Sequence, residues 1–153
     1  MNIENERPNL DGVIEALPLA TALEYGELDV ETICDGYREE GYEVTPYLLA
    51  FLESYREITI SWLYQGRSET EVEISLEGAL SEHIIRIRYY ARIAGKEVLP
   101  VGLAFGDATV LLAEDGDIYL GDIAGVQRVG RGFVPSVSAL VADDWDKAYL
   151  IES

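Results

Sequence analysis

At residue 58 the spacing of the apolar residues changes, from intervals of three and four before it to every second position in the runs that follow. In "EITISWLY" the alternation runs through Ile58, Ile60 and Trp62, and in "TEVEISL" Val72, Ile74 and Leu76 alternate with Glu71, Glu73 and Ser75. A period of two puts alternate side chains on opposite faces of a strand, while a period near 3.6 lines one face of a helix. The chain is therefore expected to build helices first and a sheet second. "QGRSE" is the turn between the first two strands, and further strands are expected near 98–103, 108–113, 118–120 and 126–129. Connections this short favour antiparallel pairing. Asp115 and Gly116 sit between two alternating runs, the composition of a two-residue type I′ turn in which both central residues have positive φ.

The helical half is punctuated clearly. Residues 13–25, "VIEALPLATALEY", read as a helix or two short turns around Pro18, closed by Gly26. An amphipathic helix follows from about Asp29 to Glu40, with Val30, Ile33, Cys34 and Tyr37 on one face and Gly41 as its stop. Thr45 as N-cap and Pro46 at the first helical position start the next one, whose buried stripe is Tyr47, Leu48, Phe51, Leu52 and Tyr55. Residues 80–94 fit a helix through Leu80, Ile84, Ile87, Ala91 and Ala94, and a strand through Ile85, Ile87, Tyr89 and Ala91. Length and the terminal Gly95 favour the helix. A closing helix spans "GFVPSVSALVADD", with Pro135 near its first turn and Val137, Leu140 and Val141 buried. The expected class is α+β: N-terminal helices, a central, mainly antiparallel sheet and a C-terminal helix, in a single domain over 1–153.

Charge narrows the function. With 29 acidic residues against 11 Lys and Arg, the net charge is −18. Such a surface repels a phosphate backbone and anionic lipid, so neither direct nucleic-acid binding nor membrane binding is expected. It attracts a basic partner, or it serves solubility. The opening "MNIENERPNL" lacks the basic and apolar segments of a secretory signal, no stretch has the length of a membrane span, and the lone Cys34 excludes an internal disulfide. The expected compartment is the cytoplasm. Cys34 itself reads as a small buried apolar residue.

Chemistry is sparse. His83 is the only histidine and reads as structural; no serine lies in a nucleophile elbow, and soft ligands for zinc are missing. The glycines at 102, 106, 125, 130 and 132 match neither a phosphate loop nor a dinucleotide fingerprint and read as turns. "EDGD" at 114–117 begins like a calcium loop but does not continue as one, and its acids read as solvating a hairpin. No catalytic residue, cofactor or metal site is expected. Phe51, Trp62 and Tyr119 are assigned to the core. Arg86, Arg88, Arg92 and Lys96 fall within eleven acid-free residues, a local positive stripe that either pairs internally or meets an anionic group.

The second half, "YYARIAGKEVLPVGLAFGDATVLLAEDGDIYLGDIAGVQRVGRGFVPSVSALV", resembles the core of the SUKH superfamily, most closely its third immunity-protein subgroup. The carrying elements are a helix running into Gly95, the strand with Pro100, Val101 and Gly102, the strand 111–113, the acidic turn 114–116, Tyr119, and the helix after Phe133. "VETICDGYREEGYEVTPYLLAFLESYREITISW" is similar to the pattern of the first half, so the likeness covers roughly residues 26–142. Two positions depart from it: Asp117 stands where a basic residue usually follows the turn, and "SYREIT" lacks a common glycine.

The resemblance implies an immunity protein, which binds and neutralises a cognate bacterial toxin by stoichiometric capping, without turnover. Many toxins matched to the superfamily are nucleases, whose basic grooves suit an acidic antidote. The expected partner-binding residues are Glu27, Glu31, Asp35, Glu39 and Glu40 on the acidic helix, then Asp143, Asp144 and Asp146 beside Trp145. Trp145 is either an interface anchor or a closure of the core. Two alternatives stay open: an interaction or regulatory domain of the same superfamily with a non-toxin partner, and a small carboxylate-dependent enzyme.

Overall fold

The computed structural model describes Val13, Glu15 and residues 17–152. Among the described residues seven strands form one sheet in strictly sequential order, β1 (Ala20–Tyr25), β2 (Ile58–Tyr64), β3 (Ser68–Ile74), β4 (Val98–Ala104), β5 (Ala108–Ala113), β6 (Asp117–Asp122) and β7 (Gly125–Arg131). Every pairing is antiparallel. The helices that lie wholly within the described residues are α1 (Val30–Glu39), α2 (Pro46–Tyr55), α3 (Leu76–Ala79), α4 (Ile84–Ala94) and α5 (Phe133–Ala142). The fold is α+β, with helices ahead of most of the sheet and one helix closing it.

Both sheet faces are covered, and the register says by what. Ile58, Ile60 and Trp62 of β2 oppose Ile74, Val72 and Thr70 of β3, and this face continues through Val110, Leu120 and Ile118. Gly130 lies across from Ile118, and Ser136 of α5 fills the space a Cβ there would occupy, so α5 packs on this face. Phe133 brings α2 with it through Phe51 and Tyr55, with ring centroids 5.6 and 4.4 Å away. The opposite face carries Leu111, Tyr119 and Gly121. Tyr90 of α4 lies where a Cβ on Gly121 would be, at 2.7 Å, so α4 packs there. Strands covered on both faces read as nearly continuous apolar runs, which explains why β5 is buried at every residue.

Local signals account for the helix boundaries. Asp29 caps α1 through its carboxylate, which accepts from the Thr32 N–H at 2.8 Å, and Ile33, Cys34 and Tyr37 are buried. Thr45 caps α2 with Pro46 in its first turn, and Gly95 ends α4 with φ of 75°, a conformation that costs glycine nothing sterically. Within the expected stripe of α2, Leu48, Phe51 and Leu52 are buried while Tyr47 and Tyr55 are half-buried. Phe51, Trp62 and Tyr119 lie in the core as expected, and Cys34 is a buried free thiol.

Several expectations are corrected. Residues 20–25 form an edge strand on β2 instead of helix, although Val13 and Glu15 are helical; residues 14 and 16 lie outside the described ones. The helix expected from Leu80 begins only at Ile84, because His83 caps it, Nδ1 accepting from the Ile85 N–H at 3.1 Å. Leu76, expected in a strand, opens the short helix α3 under the Ser75 cap. The hairpin at 113–117 has a three-residue loop: Gly116 alone has positive φ, 91°, and its N–H donates to the Ala113 carbonyl at 3.0 Å. That is the pattern of a wider turn closed by a left-handed glycine, not of type I′. Gly102, Gly125 and Gly130 are strand residues, not turns. At Gly102 a Cβ would stand 1.9 Å from the Glu73 carbonyl oxygen, so only glycine lets β3 and β4 approach.

Candidate partner interface

The acids of α1 divide by geometry. Glu31, Asp35 and Glu39 are exposed and spaced by four, so they form a row along one helix face. The opposite face is anchored in the core, where the Tyr37 hydroxyl donates to the Pro100 carbonyl at 2.7 Å and the edge of Leu76 lies against Gly36. Desolvation pushes the Tyr37 phenol well above its usual range, so it remains a donor. The row is thus held on a rigid support. Asp35 pairs with Arg38 at 3.1 Å; Glu31 and Glu39 have no ion pair among the described residues. Glu40 is the exposed C-cap and Glu27 lies exposed ahead of the helix, so these two flank the row. Carboxylates at the last turn oppose the helix dipole, costing ~0.3–1 kcal/mol each.

The second predicted cluster lies on the segment after α5. Asp143 ends α5 in the left-handed region, φ 54°, and accepts from Lys147 Nζ and from Gln65 Nε2. The segment then folds back along β7: the Leu150 N–H donates to the Val126 carbonyl at 2.8 Å, and Gln127 Nε2 donates to the Lys147 carbonyl. Asp144 and Asp146 are exposed. Trp145 is half-buried, packed against the core with Lys147 Nζ 5.7 Å from its ring centre, and its Nε1 is buried without an acceptor among the described residues. Trp145 therefore combines closure of the core with a face at the surface.

These clusters are not brought together. The chain leading into α1 is tied to the start of β2 by the Gly26 N–H bond to the Glu57 carbonyl, and the Trp145 segment is tied to its end by Gln65. At ~3.3 Å per residue the two ties are on the order of 25 Å apart, within the span of one standard-sized interface.

At the Trp145 end the turns β2–β3, β4–β5 and β6–β7 converge around an open pocket of about 460 Å³. Tyr64, Phe105 and Trp145 supply aromatic walls, and Glu69, Asp107 and Asp122 supply carboxylates. Apart from Trp145 none of these was singled out by sequence, since only the meander order makes three distant turns neighbours.

The acidic turn is not simply solvated. Asp117 is buried and binds three cations: Arg128 at 3.0 Å, Arg131 at 3.2 Å and Lys96 at 3.2 Å. Arg128 foremost, then Lys96 and Arg131, hold its carboxyl well below the usual carboxylate range, which removes it as a proton acceptor near neutrality. Asp115 shares Lys96 at 2.8 Å, a bond that lowers the carboxyl and raises the ammonium above its usual range. Of the positive stripe, Lys96 is thereby paired internally, while Arg86, Arg88 and Arg92 are exposed, without ion pairs among the described residues. Among the described residues no group of three or more His, Cys, Asp and Glu is arranged to hold a metal ion, and no helix is long and apolar enough to cross a membrane.

No curated protein and no solved structure matches the chain. The SUKH-3 immunity protein family matches residues 24–143, from within β1 to the residue that ends α5. That stretch contains α1 with its acid row, the Asp117 cluster and the whole of the sheet after the start of β1. The chain belongs to the SUKH-3 immunity protein family, and its general role is toxin immunity.

Proposed function

We propose that the protein neutralises its cognate toxin by stoichiometric capping, with the row Glu31, Asp35 and Glu39, flanked by Glu27 and Glu40, as the main contact. Asp143, Asp144, Trp145 and Asp146 form a second contact at the other end of β2. The toxin is a basic protein, best suited by a nuclease domain whose phosphate-binding groove the acid row occupies. The protein acts in the cytoplasm, before the toxin reaches its substrate, and needs no turnover or cofactor.

The observation that carries this reading is the acid row on α1, fixed by a buried face and continued into a helix end where carboxylates cost stability. A mostly unpaired row of one sign on a packed helix attracts an opposite row with little loss of backbone freedom. The test starts with a tagged pull-down from the source organism at low and high salt, followed by co-expression of the recovered toxin domain. Growth rescue by the wild-type chain, with a one-to-one complex weakened by salt, is the expected result. Recovery of a metabolic or regulatory partner and no rescue would point to a non-toxin interaction domain.

A further inference from the structure

The pocket at the turn end of the sheet has a chemistry separate from the acid row. Tyr64 and Phe105 meet edge to face with centroids 5.6 Å apart, and Trp62 braces Phe105 from the core side at 5.8 Å. Phe105 holds this position with φ of 56°, a region that a bulky residue rarely occupies. Gly106, the next residue, also has positive φ, so the turn places an aromatic ring where a smaller residue would be less strained. Trp145 closes the pocket from the segment after α5.

The polar groups in the lining are uneven. Glu69 and Asp107 have no ion pair or side-chain hydrogen bond among the described residues, and Asp122 accepts only from the N–H groups of Ala124 and Gly125. The one cation in the lining, Lys147, is already paired with Asp143. Carboxylates beside aromatic rings attract a cation, and a planar guanidinium can stack on a ring while donating to carboxylates at its edge.

We infer that this pocket is a binding site for an arginine side chain presented by a basic segment of the protein partner. The guanidinium stacks against the Tyr64 and Phe105 rings, with Trp145 closing the pocket beside them, and Glu69, Asp107 and Asp122 neutralise it. The site deepens the reading of the Trp145 segment as a partner contact, but its test uses no toxin, so either can fail without the other.

The probe is N-acetyl-arginine methylamide, titrated into the isotope-labelled full chain and followed by amide and indole N–H chemical shifts at low salt. N-acetyl-citrulline methylamide, of the same shape but uncharged, is the control. Saturable shifts of the Trp145 indole and of the amides at Phe105, Asp107 and Asp122 are expected with the arginine compound alone. The Glu69→Gln/Asp107→Asn variant removes two carboxylates that make no internal bonds, and should weaken binding about tenfold while leaving the remaining spectrum unchanged. Equal shifts with citrulline, undiminished binding to the variant, or shifts spread equally over Glu31, Asp35 and Glu39, would overturn the assignment.

Discussion

Replacing Asp117 with asparagine removes one charge and almost no volume, so it isolates the electrostatic role of the acidic turn. The side chain is 5% exposed, and its partners Lys96, Arg128 and Arg131 are 34%, 47% and 68% exposed. Breaking a fully buried ion pair by removing one partner costs ~3–5 kcal/mol. Here the three cations can regain water, Lys96 keeps Asp115, and asparagine still accepts a hydrogen bond, so the loss falls to ~2–3 kcal/mol. For a domain of this size that lowers Tm by roughly 5–10 °C. Urea unfolding at pH 7 should show the midpoint shifted with the slope unchanged. The pH dependence has a definite sign: the folded carboxyl is held below the unfolded value of about 3.9, so its stabilisation is complete above that value. The gap between wild type and Asp117→Asn should be flat from about pH 5 to about pH 8 and close as pH falls below about 4. A gap under ~0.5 kcal/mol, the size of an ordinary surface substitution, or one that widens on acidification, would refute the reasoning.

Other perturbations probe the framework that carries the acid row. Tyr37→Phe removes the bond to the Pro100 carbonyl and leaves that carbonyl without its hydroxyl donor, so chemical unfolding should show a loss of ~1–2 kcal/mol. Gly102→Ala forces a Cβ onto the Glu73 carbonyl and should abolish soluble folded protein, whereas Gly106→Ala, with open space and only an unfavourable φ of 83°, should cost ~1 kcal/mol in thermal unfolding. Burial pushes the Cys34 thiol above its usual range, so a disulfide reagent should modify it slowly in the native state and rapidly in denaturant.

The sheet was legible because its strands carry their own punctuation, and α1, α2 and α5 because Asp29, Thr45 and Pro135 mark their starts or first turns. β1 was not. "ATALEY" is rich in helix formers, and its strand state comes from pairing with residues 58–62, a partner that no local window contains. The start of α4 was hidden for a different reason: histidine is an unusual cap, and only the geometry reveals Nδ1 on the Ile85 N–H. Asp117 looked like one more solvated acid. Its partners lie 11, 14 and 21 residues away, and a bulge between Ile118 and Tyr119 puts Arg128 and Arg131 on its face of the sheet.

The acid row itself was legible, because spacing by four on an amphipathic helix fixes which residues share the solvent face. The arginine pocket was not, since its walls come from separate turns and from a segment whose return path along β7 is set by backbone bonds at Val126 and Gln127. The positive charge around Asp117 comes from residues distant in sequence. Lys96, Arg128 and Arg131 supply the positive charge from neighbouring elements.

The most direct test of capping through α1 is calorimetric titration of the cognate toxin domain with the wild-type chain and with the Glu31→Lys/Asp35→Lys/Glu39→Lys variant. The expected result is a one-to-one wild-type complex, weaker at about 300 mM than at about 50 mM salt. The variant should keep its Tm within a few degrees but bind roughly 30- to 100-fold more weakly, corresponding to ~2–3 kcal/mol over three reversed charges. A folded variant with unchanged Kd and unchanged salt dependence would contradict it.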